Sequence, residues 1–223
     1  MNLTESIDIY CERTDASYWS EPVNALTNAA FLIAAILVWP RTAGVPLARA
    51  LAAVLFAIGV GSYLFHTHAT AWAAMADTTP ILLYILLYVY VANRQYWALS
   101  WPMALLGALA FIPYAMVTTP LFERLPFFEV SSFYWPVPLL IGAYAVALAR
   151  RRPETARGLA IGAGILCLSL VFRSVDIPVC DGFPLGTHFL WHVLNAVMLG
   201  WMILVYLGDR QRAGALEGAP RAR

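Results

Sequence analysis

Two histidines four residues apart, in the run His188-Phe-Leu-Trp-His192, give this chain its sharpest chemical signal. On a helix that spacing puts both imidazoles on one face about one turn apart, where they can meet a single ion. The remaining histidines are His66 and His68. Successive helical residues turn by about 100°, so these two point about 200° apart and only one can join the pair. Ser62 lies four residues before His66 and shares its face, which makes His66 the expected third ligand. Three neutral nitrogens on zinc leave a fourth position for water, which the metal makes acidic near neutral pH. Asp77 opens the next apolar stretch, a costly place for a carboxylate without a partner or a wet cavity, and it is the expected proton acceptor. Ser62 also has a plainer reading, because Gly61 and Ser62 are small residues that let helices approach.

The elements that must position these residues follow from composition. Hydrophobic residues make up 61% of the 223 and charged residues 12%, against about 45–50% and 25% in a soluble domain. Lipid is therefore the expected solvent for most of the surface. Seven stretches approach the roughly 20 apolar residues a crossing needs: 24–42, 47–68, 72–93, 98–119, 129–150, 155–175 and 186–208. Backbone inside a bilayer must satisfy its own hydrogen bonds, so such runs are helices. The predicted fold is all-α, a polytopic seven-transmembrane helix bundle. Around the membrane domain at 24–208 stand an acidic amino-terminal segment at 1–23 and an Arg/Gly/Ala-rich tail at 209–223, expected to be mobile. The acidic start does not resemble a cleavable leader, so the segment is expected to remain on the mature protein. Pro102 is easily tolerated near the start of its stretch, and Pro113, Pro136 and Pro138 are expected only to kink theirs.

All 14 basic residues are Arg, and with an odd number of crossings Arg13, Arg124 and Arg173 share one side against eleven on the other. That imbalance places the carboxyl terminus in the cytoplasm and the amino terminus outside. All four histidines then fall at the outer face. The fourth stretch, with two prolines, is the one on which the odd count most depends. A formal charge of +1 says nothing about partners; no nucleic acid is expected, and the partner the composition does imply is the bilayer.

Taken in order, Ser62-x-x-x-His66, Asp77 and His188-x-x-x-His192 resemble the alkaline ceramidase family, within a superfamily of seven-helix membrane hydrolases that includes adiponectin-receptor-like proteins. The resemblance spans nearly the whole chain. It implies zinc on His66, His188 and His192, attack of the metal's water on the N-acyl amide of a ceramide-like lipid, Asp77 as base and then acid, and Ser62 positioning the water or stabilising the oxyanion. Tyr10-Cys11-Glu12 and Glu21-Pro-Val-Asn24 resemble further family elements that in some members hold calcium beside the zinc. Glu12, Glu21, Asp8 and Asp15 are the calcium candidates by that resemblance, although Ile9 stands where the family has an Asp, and an ordinary solvated acidic loop is the alternative. Cys11 and Cys180 both fall in outer segments, and the resemblance supports a disulfide between them over two free thiols.

Three readings complete the set. Arg173 and Asp176 are spaced for an i, i+3 ion pair, with support of the metal site as the alternative. The aromatic run from Leu82 to Tyr90 lines an acyl slot or simply packs and faces lipid. Hydrolysis of ester-linked acyl lipids, or a receptor-like protein with a non-catalytic zinc, are the alternative functions.

Overall fold

The computed structural model describes residues 2–218. Among these, nine α-helices follow in order: α1 (Pro22–Thr27), α2 (Ala29–Val38), α3 (Pro46–His68), α4 (Ala71–Gln95), α5 (Trp101–Leu109), α6 (Phe111–Glu123), α7 (Pro136–Leu148), α8 (Pro153–Ser174) and α9 (His188–Gly218). The pairs α1–α2 and α5–α6 are each one pass interrupted by a single residue, which leaves the seven passes expected of the bundle. Six are long and apolar enough to cross a membrane, and the chain is an all-α membrane bundle.

Prolines set several of the boundaries. Pro22, Pro46, Pro136 and Pro153 open α1, α3, α7 and α8 at the first helical position, where the missing N–H costs nothing and φ is already fixed near the helical value. The fifth pass is accordingly the short one. It begins at Pro136 and runs 13 residues, whereas the sequence pointed to 129–150 and to doubt about the fourth. Pro113 has no N–H for the carbonyl of Leu109, and the fourth pass breaks at Ala110 between them.

Helix α9 is the axis of the bundle and packs against α2, α3, α4 and α8. Tyr84 donates its hydroxyl to the Leu199 carbonyl at 2.7 Å and Tyr88 to that of Met202 at 3.1 Å, two polar clasps between α4 and α9 in an apolar interior. The mobile tail expected from Asp209 does not begin there, because α9 runs on to Gly218. Asp209 is buried and accepts from Arg152 Nη1 at 2.7 Å, Gln95 Nε2 at 2.9 Å and Thr155 Oγ1 at 2.6 Å, which ties α4, α8 and α9 together. Residues 219–223 lie outside the described residues.

At the other end the amino-terminal segment folds back over the α3–α4 turn. The Ile7 amide donates to Ala69 O at 2.8 Å and the Ala71 amide to Glu5 O at 3.0 Å. The segment thereby becomes a cover for the last turn of α3 and the first of α9.

Candidate metal centre

His66 sits on the last turn of α3, and His188 and His192 on the first two turns of α9. The three are 1%, 1% and 0% exposed. Their ligating atoms lie within 4.8 Å of one another, and among the described residues no other group of three His, Cys, Asp or Glu does this. His68 is exposed on the far side of α3, against the rings of Tyr18 and Trp72.

Hydrogen bonds behind the rings decide which nitrogens are bare. Glu21 Oε2 lies 2.6 Å from His66 Nδ1, so the ring proton resides on Nδ1. The Thr27 hydroxyl donates to Val23 O at 2.8 Å, and its remaining lone pair accepts from His192 Nδ1 at 2.9 Å. Each ring therefore turns its Nε2 inward, and these two atoms stand 3.0 Å apart. With both rings neutral, lone pair faces lone pair there, and a cation between them removes the conflict. His188 Nδ1 is buried with no hydrogen-bond partner. Three converging imidazoles of this kind suit zinc and its neighbours among the transition metals. The donor set thus fits the ion read from the sequence.

Behind His66, Glu21 Oε1 accepts from Arg13 Nε at 2.5 Å, and Asn24 Nδ2 donates to Oε2 at 3.1 Å. Burial works against charge on Glu21, but the His66 hydrogen bond and the Arg13 guanidinium hold its carboxyl below the ordinary value. Glu12 caps α1 from a distance, accepting the amides of Val23 at 2.7 Å and Asn24 at 2.8 Å. Asp8 and Asp15 are exposed. The four acids proposed for calcium are thus not assembled around an ion. Calcium takes six to eight oxygens, and the carboxylate oxygens of Glu12 and Glu21 are committed elsewhere, so these residues do not fit it.

The expected Arg173–Asp176 ion pair is also absent. Arg173 Nη1 donates to Val130 O at 2.6 Å and lies over the ring of Tyr134. Asp176, 1% exposed, instead accepts the amides of Thr187 at 2.7 Å and His188 at 2.9 Å with one oxygen, and that of Cys11 at 2.9 Å with the other. It caps the helix that carries two of the histidines. Gly186 makes room for this: its φ is +62°, and a Cβ there would come 2.1 Å from Asp176 Oδ1. The Cys11–Cys180 disulfide fastens the same corner, and Tyr10 next to it stacks on His188 with ring centroids 3.7 Å apart.

Ser62 and Asp77 meet where α3 and α4 come closest. A Cβ on Gly61 would fall 2.0 Å from the carbonyl oxygen of Ala76, so only glycine permits this approach. Pro80 contributes, because its missing N–H leaves the Ala76 carbonyl without its helical partner. Ser62 lies beside the Asp77 carboxyl, with the His66 ring and the Arg173 guanidinium close enough to act on it. One Asp77 oxygen is buried without a hydrogen-bond partner. Deeper in the bundle, a narrow pocket of about 60 Å³ is lined by Tyr84, Tyr88, Trp191, Asn195, Leu199 and Met202 among others. His188, His192, Asn195, Leu199 and Met202 recur every three or four residues, so the pocket continues the α9 face on which the histidine pair sits.

Residues 4–215 match the family model described as Ceramidase. The chain belongs to the ceramidase family. No curated protein matches it. Membership of the ceramidase family supports ceramide hydrolysis, a hydrolase activity on amides, for this membrane protein. In this ceramidase-family chain the sequence pattern missed Arg13, Thr27 and Pro80. Pro80 was visible as a proline three residues after Asp77. Arg13 and Thr27 carry no local signature, because their links to the histidines, Arg13 to His66 O and Thr27 to His192, cross long stretches of chain.

Proposed function

We propose that the protein hydrolyses the N-acyl amide of ceramide, or of a related long-chain lipid amide, with zinc on His66, His188 and His192. The observation that carries the metal is the approach of His66 Nε2 to His192 Nε2 at 3.0 Å, each ring held by a partner on Nδ1 and His188 converging with them. When bound, zinc supplies an acidified water and a Lewis acid for the scissile carbonyl, since three nitrogens leave a fourth position open.

The chain's own residues do the rest. Glu21 and Thr27 hold two imidazoles in the ligating tautomer. Asp77 takes the proton of the attacking water and delivers it to the amine nitrogen as the C–N bond breaks, so that water's oxygen ends in the fatty acid and its hydrogens are shared between the products. Ser62, beside Asp77, orients the water or donates to the developing oxyanion. The acyl chain enters from the membrane along the α9 face that lines the pocket, which at about 60 Å³ must widen to admit it. By the placement of Arg, the site opens to the outer side of the membrane, with the carboxyl terminus in the cytoplasm.

The test is turnover of a panel of ceramides, acylated amino-lipids and phospholipids, with and without a zinc chelator. Ceramide should be cleaved, lost with chelator and recovered on adding zinc. A silent panel, or turnover indifferent to chelation, would refute the proposal.

A further inference from the structure

The amino-terminal segment contains a cation of its own. Arg13 is buried, 7% exposed, and each guanidinium nitrogen has a separate oxygen acceptor: Nε donates to Glu21 Oε1 at 2.5 Å, Nη1 to Asp15 O at 3.0 Å and Nη2 to His66 O at 3.0 Å. One carboxylate and two carbonyl oxygens around one group make the kind of hard-oxygen environment a divalent cation also uses. Here that place is filled by a side chain. The same Glu21 reaches His66 Nδ1 through its other oxygen, so the guanidinium, the carboxylate and the imidazole form one chain leading to the cluster.

We propose that Arg13 is a resident cation that replaces calcium in this chain: it neutralises Glu21, ties the amino-terminal segment to α3 and positions His66, so the protein functions without calcium. Arg suits the role because its charge is permanent and its planar fork satisfies several acceptors at once. A compact ion would have to displace it, since the same three oxygens cannot serve both. The removal of Arg13 should expose an oxygen-lined site that accepts either a small divalent ion or free guanidinium.

The calcium half of the proposal is independent of the zinc reading, and only the consequence at His66 rests on it. The experiment uses the full-length purified protein in detergent. Wild type is titrated with calcium into the millimolar range, read by melting temperature and by calorimetric binding, and no shift and no binding heat are expected. Arg13→Ala should melt lower and bind zinc about 10–100-fold more weakly, and both losses should be reversed in part by millimolar calcium or guanidinium but not by sodium. Arg13→Lys should show the smaller loss and no calcium response. Calcium binding to wild type, or an Arg13→Ala protein with unchanged melting temperature and no response to either cation, would overturn the proposal. If Arg13→Ala does not fold, the wild-type titration and Arg13→Lys still decide it. Should zinc prove absent, the melting and calcium arms read the claim unaltered.

Discussion

His66 Nε2 lies 3.0 Å from His192 Nε2, and Glu21 and Thr27 each accept a ring proton on the opposite, Nδ1 side. Everything else in the centre serves that juxtaposition. Two helices far apart in sequence are held at it by a carboxylate cap on α9 and a disulfide across the cover, and a glycine contact sets α3 against α4 beside it.

Removing a ligand should remove the metal. His188→Ala and His192→Ala are expected to lose zinc, while His68→Ala, altered on the exposed side of α3, should keep about one per chain. Metal quantification on the purified variants checks this, and zinc retained in both of the first two would sink the ligand assignment.

Asp77→Asn separates binding from catalysis. The carboxyl is outside the histidine group, so zinc content should be unchanged while ceramide turnover falls by about 10²–10⁴-fold. Unchanged turnover would remove Asp77 from the mechanism.

Glu21→Gln tests the support behind His66. The amide keeps the size but loses the charge that Arg13 and His66 both address. Zinc affinity should fall by about 10–100-fold, measured by competition with a chelator of known affinity. An unaltered affinity would leave Glu21 a purely structural residue.

The disulfide closes 169 residues of chain. Replacing Cys11 and Cys180 together by Ser should cost about 2–5 kcal/mol of stability and free the segment that carries Tyr10 over His188. Thermal unfolding in detergent reads the loss, and proteolysis within residues 2–20 reads the freed segment. A variant as stable and as protected as wild type would contradict the stapling role.

How far the sequence led is clearest at single residues. The helical phase of His188 with His192, and of Ser62 with His66, required only rotation per residue, and the structure brings those side chains together as that phase requires. Apolar length gave the passes but not their ends, because Pro136 starts a helix where a sliding window sees continuous hydrophobicity. Arg173 and Asp176 show the opposite failure. Their spacing fits an ion pair, but three backbone amides, those of Cys11, Thr187 and His188, outcompete one guanidinium for the carboxylate. Asp209 looked like the start of a solvated tail, and only the tertiary partners Arg152, Gln95 and Thr155 explain its burial. Calcium was expected from the family resemblance, and what stands against it, the Arg13 guanidinium bonded to Glu21, Asp15 O and His66 O, is visible only in the fold.

The most direct measurement is ceramide hydrolysis by the purified protein before metal removal, after it, and after zinc is returned, with zinc quantified at each stage. The expected result is about one zinc per chain at the start, no hydrolysis without it and recovery in proportion to the zinc restored. Full hydrolysis by metal-free protein, or a zinc-loaded protein with no hydrolysis of any ceramide, would contradict the catalytic zinc proposed for His66, His188 and His192.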